Sequence, residues 1–273
     1  FLKTGFGTLV LRGTNTFTAT AGNGFQVGAG TVQLDYANLA GAGPILNNTT
    51  TTQLTLGGGT ATTMVTSGGT LRITAGASNV TQNFSSVLPA AKDNFITLDS
   101  TGGVITLGLG TAIARQVGST FTFNGNALGT AVITSTAAPV NGITPGAIWA
   151  GDDLVAADGA NFSRLTAYGA TTGTPTAPTI TSDTTANLKV SGTTSNNVTM
   201  AAAGTSDLNT LTFADTAART IAVGTGNTLR LGTVGTILAS TASGGLTIGV
   251  SGSAGTVAAG GTVANTAGEL IFA

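Results

Sequence analysis

Apolar residues in this chain come in pairs separated by one position: Leu9/Leu11, Val32/Leu34, Leu54/Leu56, Leu71/Ile73 and Ile96/Leu98. The same form returns in Phe121/Phe123, Leu188/Val190, Leu211/Phe213, Leu229/Leu231, Leu246/Ile248 and Leu270/Phe272. A period of two puts both members of a pair on one face of a strand and sends the residue between them the other way. Thr makes up about one residue in five. Thr, Val and Ile favour strands because a branched Cβ packs well on a pleated surface. The pattern predicts many short strands and no helix longer than about two turns, since Gly and β-branched residues weaken helices.

The spacing says how the strands are arranged. From Leu9 to Ile96 the pairs follow at steps of 23, 22, 17 and 25 residues, and from Leu188 to Leu270 at 23, 18, 17 and 24. A step near 20 residues is the mark of a stacked repeat, in which each coil buries its apolar pair against the coils above and below. The phrases "GAGTVQLD", "SGGTLRIT", "GTGNTLRLG" and "SGGLTIGV" place a Gly-rich corner before each strand. Glycine supplies the tight bend there. The predicted fold is all-β, a right-handed parallel β-helix, or β-solenoid. A tandem β-sandwich is the alternative, because some inner spacings, such as Leu98 to Ile105, suit hairpins.

The rhythm breaks in the middle. Residues 139–182 hold four of the six prolines, the only Trp (Trp149) and the acidic stretch "GDDLVAADGANF". The organisation read from this is one continuous solenoid, with coils at 1–138, irregular coils or a flank loop at 139–182, and coils again at 183–273.

Composition removes whole classes of function. Charged residues are 7% and the net charge is -1, so nothing electrostatic favours nucleic acid or an anionic membrane surface. Cysteine is absent, which excludes a disulfide scaffold and a thiolate zinc site. Histidine is absent too, which excludes a serine–histidine triad. No run of about 18 apolar residues offers a membrane-spanning helix.

The stretches "LKTGFGTLVLRGTNTFTA" and "GFQVGAGTVQLDYANLAG" carry a resemblance. They resemble the autotransporter-associated β-strand repeat, over Lys3, Thr4, Gly5, Gly7, Thr8, Leu9, Leu11, Gly13, Asn15, Thr16, Phe17 and Thr18, then Gly30, Thr31, Val32 and Leu34. The link "ATAGNG" departs from the usual pattern. The strong match covers about 35 residues at the start of the chain. The resemblance implies export, a right-handed parallel β-helix and a passenger role in a large bacterial surface protein. It implies no catalytic residues, because the repeat is a scaffold motif.

Asp152, Asp153 and Asp158 form the only acidic cluster in the sequence. They match neither the EF-hand loop nor the nonapeptide of calcium-binding β-rolls, so a solvated turn is favoured over a metal site. The glycines of "GTGNTLRLG" and "GGGT" lack a following lysine and helix, and read as corners instead of a phosphate cradle. Arg72, Arg115, Arg164, Arg219 and Arg230 read as single solvated side chains in preference to a polar stripe on the outer face, and Arg72 and Arg230, set between inward apolar residues, point outward. Asn47 to Thr52, "NNTTTT", is a turn or a stacked polar ladder. No catalytic, cofactor-binding or metal-ligating residue is assigned, and no cofactor is expected.

The reading is a non-enzymatic extracellular structural protein: a segment of a surface layer or fibre, secreted or on the bacterial cell surface, exported by a signal outside this sequence. Both ends read as open coil faces, so self-association is expected, head-to-tail with another copy or with adjoining segments of a longer chain. No nucleic-acid partner and no membrane insertion are expected. The alternative is an adhesin or glycan-binding passenger, which an aromatic-lined groove near Trp149, Phe162 and Tyr168 would favour. A third reading, a polysaccharide lyase or hydrolase, would need Asp clustered with Lys or Arg on one coil face.

Overall fold

A computed structural model describes residues 1–15, 24–39, 44–46, 52–58, 67–90, 92–174, 177–192, 197–261 and 267–273. The chain is a parallel β-solenoid of about nine turns. It divides into two compact units, one of Phe1–Ala150 with Val155–Ser163, the other of Gly151–Leu154 with Arg164–Ala273. Among the described residues there is no α-helix, only a short 3-10 turn at Tyr36–Asn38.

In the first unit each coil contributes strands to successive faces. One face stacks Leu2–Lys3, Phe25–Val27, Gln53–Leu56 and Ser86–Pro89, all parallel. A second stacks Thr8–Leu11, Gly30–Asp35, Gly69–Ala75, Lys92–Ser100, Ser119–Asn124 and Ile143–Trp149. The third holds Val80–Asn83, Ile105–Gly108 and Val132–Thr134. On the second face the register runs Leu9, Val32, Leu71, Ile96, Phe123, each directly beside the next. Like thus stacks on like, at the roughly 4.8 Å spacing of neighbouring strands. Along Gly69–Ala75 burial alternates strictly, with Leu71 and Ile73 fully buried and Arg72 exposed.

The register corrects one expectation. Leu54 and Leu56 do not lie between the Val32 and Leu71 pairs. They stack between Phe25/Val27 and Val87/Pro89 on the first face, while Val32 pairs directly with Leu71. Every face of the coil needs the same apolar pair, so the pairs come more often than the coils. Residues that meet across neighbouring coils are 25 to 27 apart at Gly69/Asn94, Asn94/Thr120 and Thr97/Asn124.

The corners are glycine where no side chain fits. Gly110 has φ of +73°, and a Cβ there would strike the backbone of Ser85 and Ser86 one coil below. Both the left-handed conformation and the close approach require glycine.

In the second unit Ala177–Ile180, Asn197–Met200, Arg219–Ala222 and Leu246–Ile248 stack in parallel. Asp183–Val190 pairs with Thr205–Phe213. That strand then hands its first residues to Thr228–Leu231 and its last to Val234–Ala239. These two continue onto Thr256–Ala259 and Glu269–Phe272. The core gathers Ile180, Leu188, Val198, Leu211, Phe213, Ile221, Leu229 and Leu231. A polar ladder lies within it: Asn209 Nδ2 donates to Asn187 Oδ1 at 2.7 Å, and Thr210 Oγ1 donates to the same oxygen at 2.8 Å, all buried. The turn or ladder read at Asn47 to Thr52 falls, apart from Thr52, outside the described residues.

The expected inward pair Leu270/Phe272 is only half realised. Leu270 packs against the core, but Phe272 is 68% exposed. Ile237, Ala239, Leu246, Ile248, Val257, Phe272 and Ala273 line an apolar cavity of about 600 Å³. It marks the side of this last described coil on which no further coil is stacked.

Candidate functional site

The stretch 139–182 departs from the parallel rule. Val132–Thr134 pairs antiparallel with Asn161–Arg164, and Thr172–Thr174 antiparallel with Ala177–Ile180. Antiparallel neighbours arise where the chain doubles back instead of completing a coil. Such reversals bring together residues that a regular repeat keeps apart.

Asp153 is the centre of what they assemble in the second unit. It is fully buried, and both carboxylate oxygens are engaged. Lys189 Nζ donates to Oδ1 at 2.7 Å, and Arg164 contacts Oδ2 through Nε and Nη2. Lys189 lies in the strand Asp183–Val190, between Leu188 and Val190, so its side chain leaves the core. Its ammonium sits 5.0 Å from the centre of the Tyr168 ring, within cation–π range. The Tyr168 hydroxyl accepts a hydrogen bond from the Leu154 backbone N–H at 2.9 Å. Burial pushes the Tyr168 phenol up to about 12. A buried carboxylate held by two cations and their hydrogen bonds satisfies the requirement that buried charge be paired.

Asp153, Arg164, Leu165, Thr166, Tyr168, Gly169, Lys189 and Ser191 line a cleft of about 340 Å³. Thr166 and Ser191 are exposed on it. The lining carries two cations against one carboxylate. Lys189 is tied to Asp153, and Tyr168 is held protonated at neutral pH.

The acidic cluster read from the sequence separates into independent roles. Asp152 accepts from the Thr241 backbone N–H at 3.0 Å and from its hydroxyl at 2.5 Å. Those bonds hold its carboxyl below the usual range, with Arg164 and Lys189 adding to the effect. Asp158 accepts from the backbone N–H groups of Ala160 and Asn161, an exposed turn. The solvated turn describes Asp158 but not Asp153, which is buried and paired. Among the described residues no three acidic groups converge as a metal site would need.

The arginines are not single solvated charges either. Arg72 pairs with Asp99, Arg164 with Asp153, Arg219 with Asp215 and Arg230 with Asp207. Arg115 donates to the backbone carbonyls of Gln116 and Ser119. The partners of Arg72, Arg164 and Arg230 lie on other strands, at distances the sequence alone does not reveal. Trp149 and Phe162 pack around Phe123 in the core of the first unit, with ring centres 5.9 and 6.3 Å away. Tyr168 belongs to the second unit, so the three aromatics form no common groove within either unit.

No motif in the sequence marks Lys189. Its 36-residue separation from Asp153 matches no coil step. One signal was available: it is the only lysine after residue 92, set in a strand whose outward positions are otherwise mostly uncharged. No protein-family profile, curated protein or solved structure matches this chain at a significant level.

Proposed function

We propose that this chain is a non-enzymatic structural protein of the cell exterior, a β-solenoid segment of a surface layer or fibre that associates head-to-tail. The observation that carries the reading is the uninterrupted ladder Leu9, Val32, Leu71, Ile96, Phe123, with its buried inner positions. A fold that devotes its sequence to such ladders is a stacking scaffold. The autotransporter-associated repeat is the family this reading favours, and the motif residues support it by their work at corners. Lys3 Nζ donates to the carbonyls of Thr4, Gly5 and Ala29. Asn15 Nδ2 donates to those of Gly13 and Ile45. Thr16 to Thr18 of the motif lie outside the described residues.

Self-association draws support from exposed apolar side chains: Leu2 and Phe6 in the first unit, and Phe272 with its cavity in the second. Stacking a further coil on either face, from another copy or from adjoining sequence, buries them. A heterologous contact of this kind propagates into a filament. Sedimentation velocity over a concentration series tests it. Mass should grow with concentration, and Phe272→Glu should suppress the growth. A wild-type chain that stays monomeric at high concentration overturns head-to-tail assembly.

The Asp153–Arg164–Lys189 cleft sets an acid among two cations, the clustering a polysaccharide lyase or hydrolase would need, and it equally offers a contact site to the second reading, an adhesin or glycan-binding passenger.

A further inference from the structure

We propose that this cleft is a binding site for the carboxylate of a single uronic acid residue. The inference stands on the cleft alone and does not depend on head-to-tail assembly.

Charge sets the class of ligand. Two cations and one buried carboxylate leave the lining one positive charge in excess. A monoanion balances it. A phosphate dianion would overfill it and would face the Asp153 carboxylate at close range. Asp152 is not among the lining residues and is occupied by Thr241. Its charge lies near enough to temper the site, so binding is modest.

Geometry favours a carboxylate among monoanions. Arg164 directs Nε and Nη2 to one oxygen of Asp153, yet its side chain remains 56% exposed. A planar guanidinium anchored along one edge is preset to present its remaining N–H groups to a second planar acceptor. Lys189, fixed between Asp153 and the Tyr168 ring, adds a directed ammonium. Ordering of both side chains has already taken place in the unliganded fold, which lowers the entropic cost of binding.

The remaining lining points to a polyol. Thr166 and Ser191 present hydroxyls at exposed positions, each able to donate and accept. Apolar contact is limited to Leu165, Gly169 and the Tyr168 ring, and that ring already carries Lys189. A flat aromatic acid would find little to stack on. The volume of about 340 Å³ is at the small end of ligand sites. It suits one sugar ring, with neighbouring residues of a chain lying outside.

Isothermal titration calorimetry of the whole chain at low salt tests the site with sodium D-glucuronate, D-glucose, sodium sulfate and a glucuronate tetramer. Glucuronate should bind at one site, and the tetramer within threefold of it. Glucose and sulfate should bind at least tenfold more weakly. Arg164→Gln should weaken glucuronate at least tenfold. Because that change also strips a partner from Asp153, Thr166→Trp serves as a second variant. It fills the cleft from an exposed position, leaves the ion pairs in place, and should abolish binding with an unchanged circular dichroism spectrum. Sulfate binding as tightly as glucuronate would reduce the cleft to a general anion site and overturn the proposal. Glucose binding equally well, a tetramer that binds where the monomer does not, no binding by glucuronate, or a folded Thr166→Trp that binds like wild type would each do so too.

Discussion

Arg230 and Asp207 stand directly opposite one another on adjacent coils, 23 residues apart, with Arg230 Nε donating to Asp207 Oδ1 at 2.6 Å. Arg12 and Asp35 repeat the arrangement in the first unit, again 23 residues apart and at 2.7 Å. In a chain with so few charges, ion pairs placed one coil apart help fix the register between strands whose outer positions are mostly small or uncharged. A slip by one residue would turn each strand inside out and break the pair as well.

The Arg230–Asp207 pair should therefore show measurable coupling. A double-mutant cycle of Arg230→Gln and Asp207→Asn, followed by urea denaturation, should give a favourable coupling energy that shrinks in high salt. Additive single variants would mean that the pair contributes no register.

Position in the ladder sets the cost of losing an apolar side chain. Leu71 is fully buried with strands on both sides, whereas Leu9 is only half-buried on the outermost described coil. Leu71→Ala should destabilise by about 2–5 kcal/mol and Leu9→Ala by clearly less. Equal losses in thermal or urea melts would contradict the stacked register.

The Asn187–Asn209 ladder should resist conservative change. Asn209→Leu keeps the branched shape but leaves Asn187 Oδ1 with one donor fewer in a buried site. A loss of about 1–3 kcal/mol is expected in urea denaturation. A neutral outcome would show that the ladder is dispensable.

Stability should fall at both extremes of pH, for separate reasons. Burial raises the Asp35 carboxyl, but its bonds from Arg12 and Asn38 outweigh this and hold it below the usual carboxylate range. A lowered folded value means that stability is present above the unfolded value, roughly 3.9, and is lost as pH falls through the lower folded one. Asp35→Asn should flatten that acid limb. The only two tyrosines, Tyr36 and Tyr168, are both pushed up to about 12 by burial. A raised value works in the other direction: stability is full below the unfolded value near 10 and is lost between about 10 and 12. Absorbance at the phenolate band should stay flat until the chain unfolds. Free titration near pH 10 would refute the burial.

Chelation should leave the melting temperature unchanged. Asp152, Asp153 and Asp158 are each satisfied by protein donors. A large fall in calorimetric melting temperature with EDTA would restore a calcium role.

The strands were legible because a period of two is written directly in pairs such as Leu71/Ile73. Their assignment to faces was not. Leu54/Leu56 looks the same as Val32/Leu34, and only three-dimensional closure of the coil sends it elsewhere. The corner role of Gly226, in "GTGNTLRLG", followed from local chemistry, as its positive φ shows. The cleft did not, because Asp153, Arg164 and Lys189 meet only where the chain reverses, outside any repeat. The Phe272 orientation also escaped prediction. An inward position means burial only when another coil covers it.

The direct pairing of Val32 with Leu71 has a consequence for how such a chain varies over evolutionary time. More residues separate Val32 from Leu71 than Leu9 from Val32, yet both pairs stand directly in register. Growth at a corner changes the outline of one layer and nothing in the stack beneath it. Insertions and deletions there face little purifying selection from folding, while a single residue gained inside a strand faces all of it. Lineages built on this plan can remodel the outer surface they show to their surroundings without having to reinvent the interior.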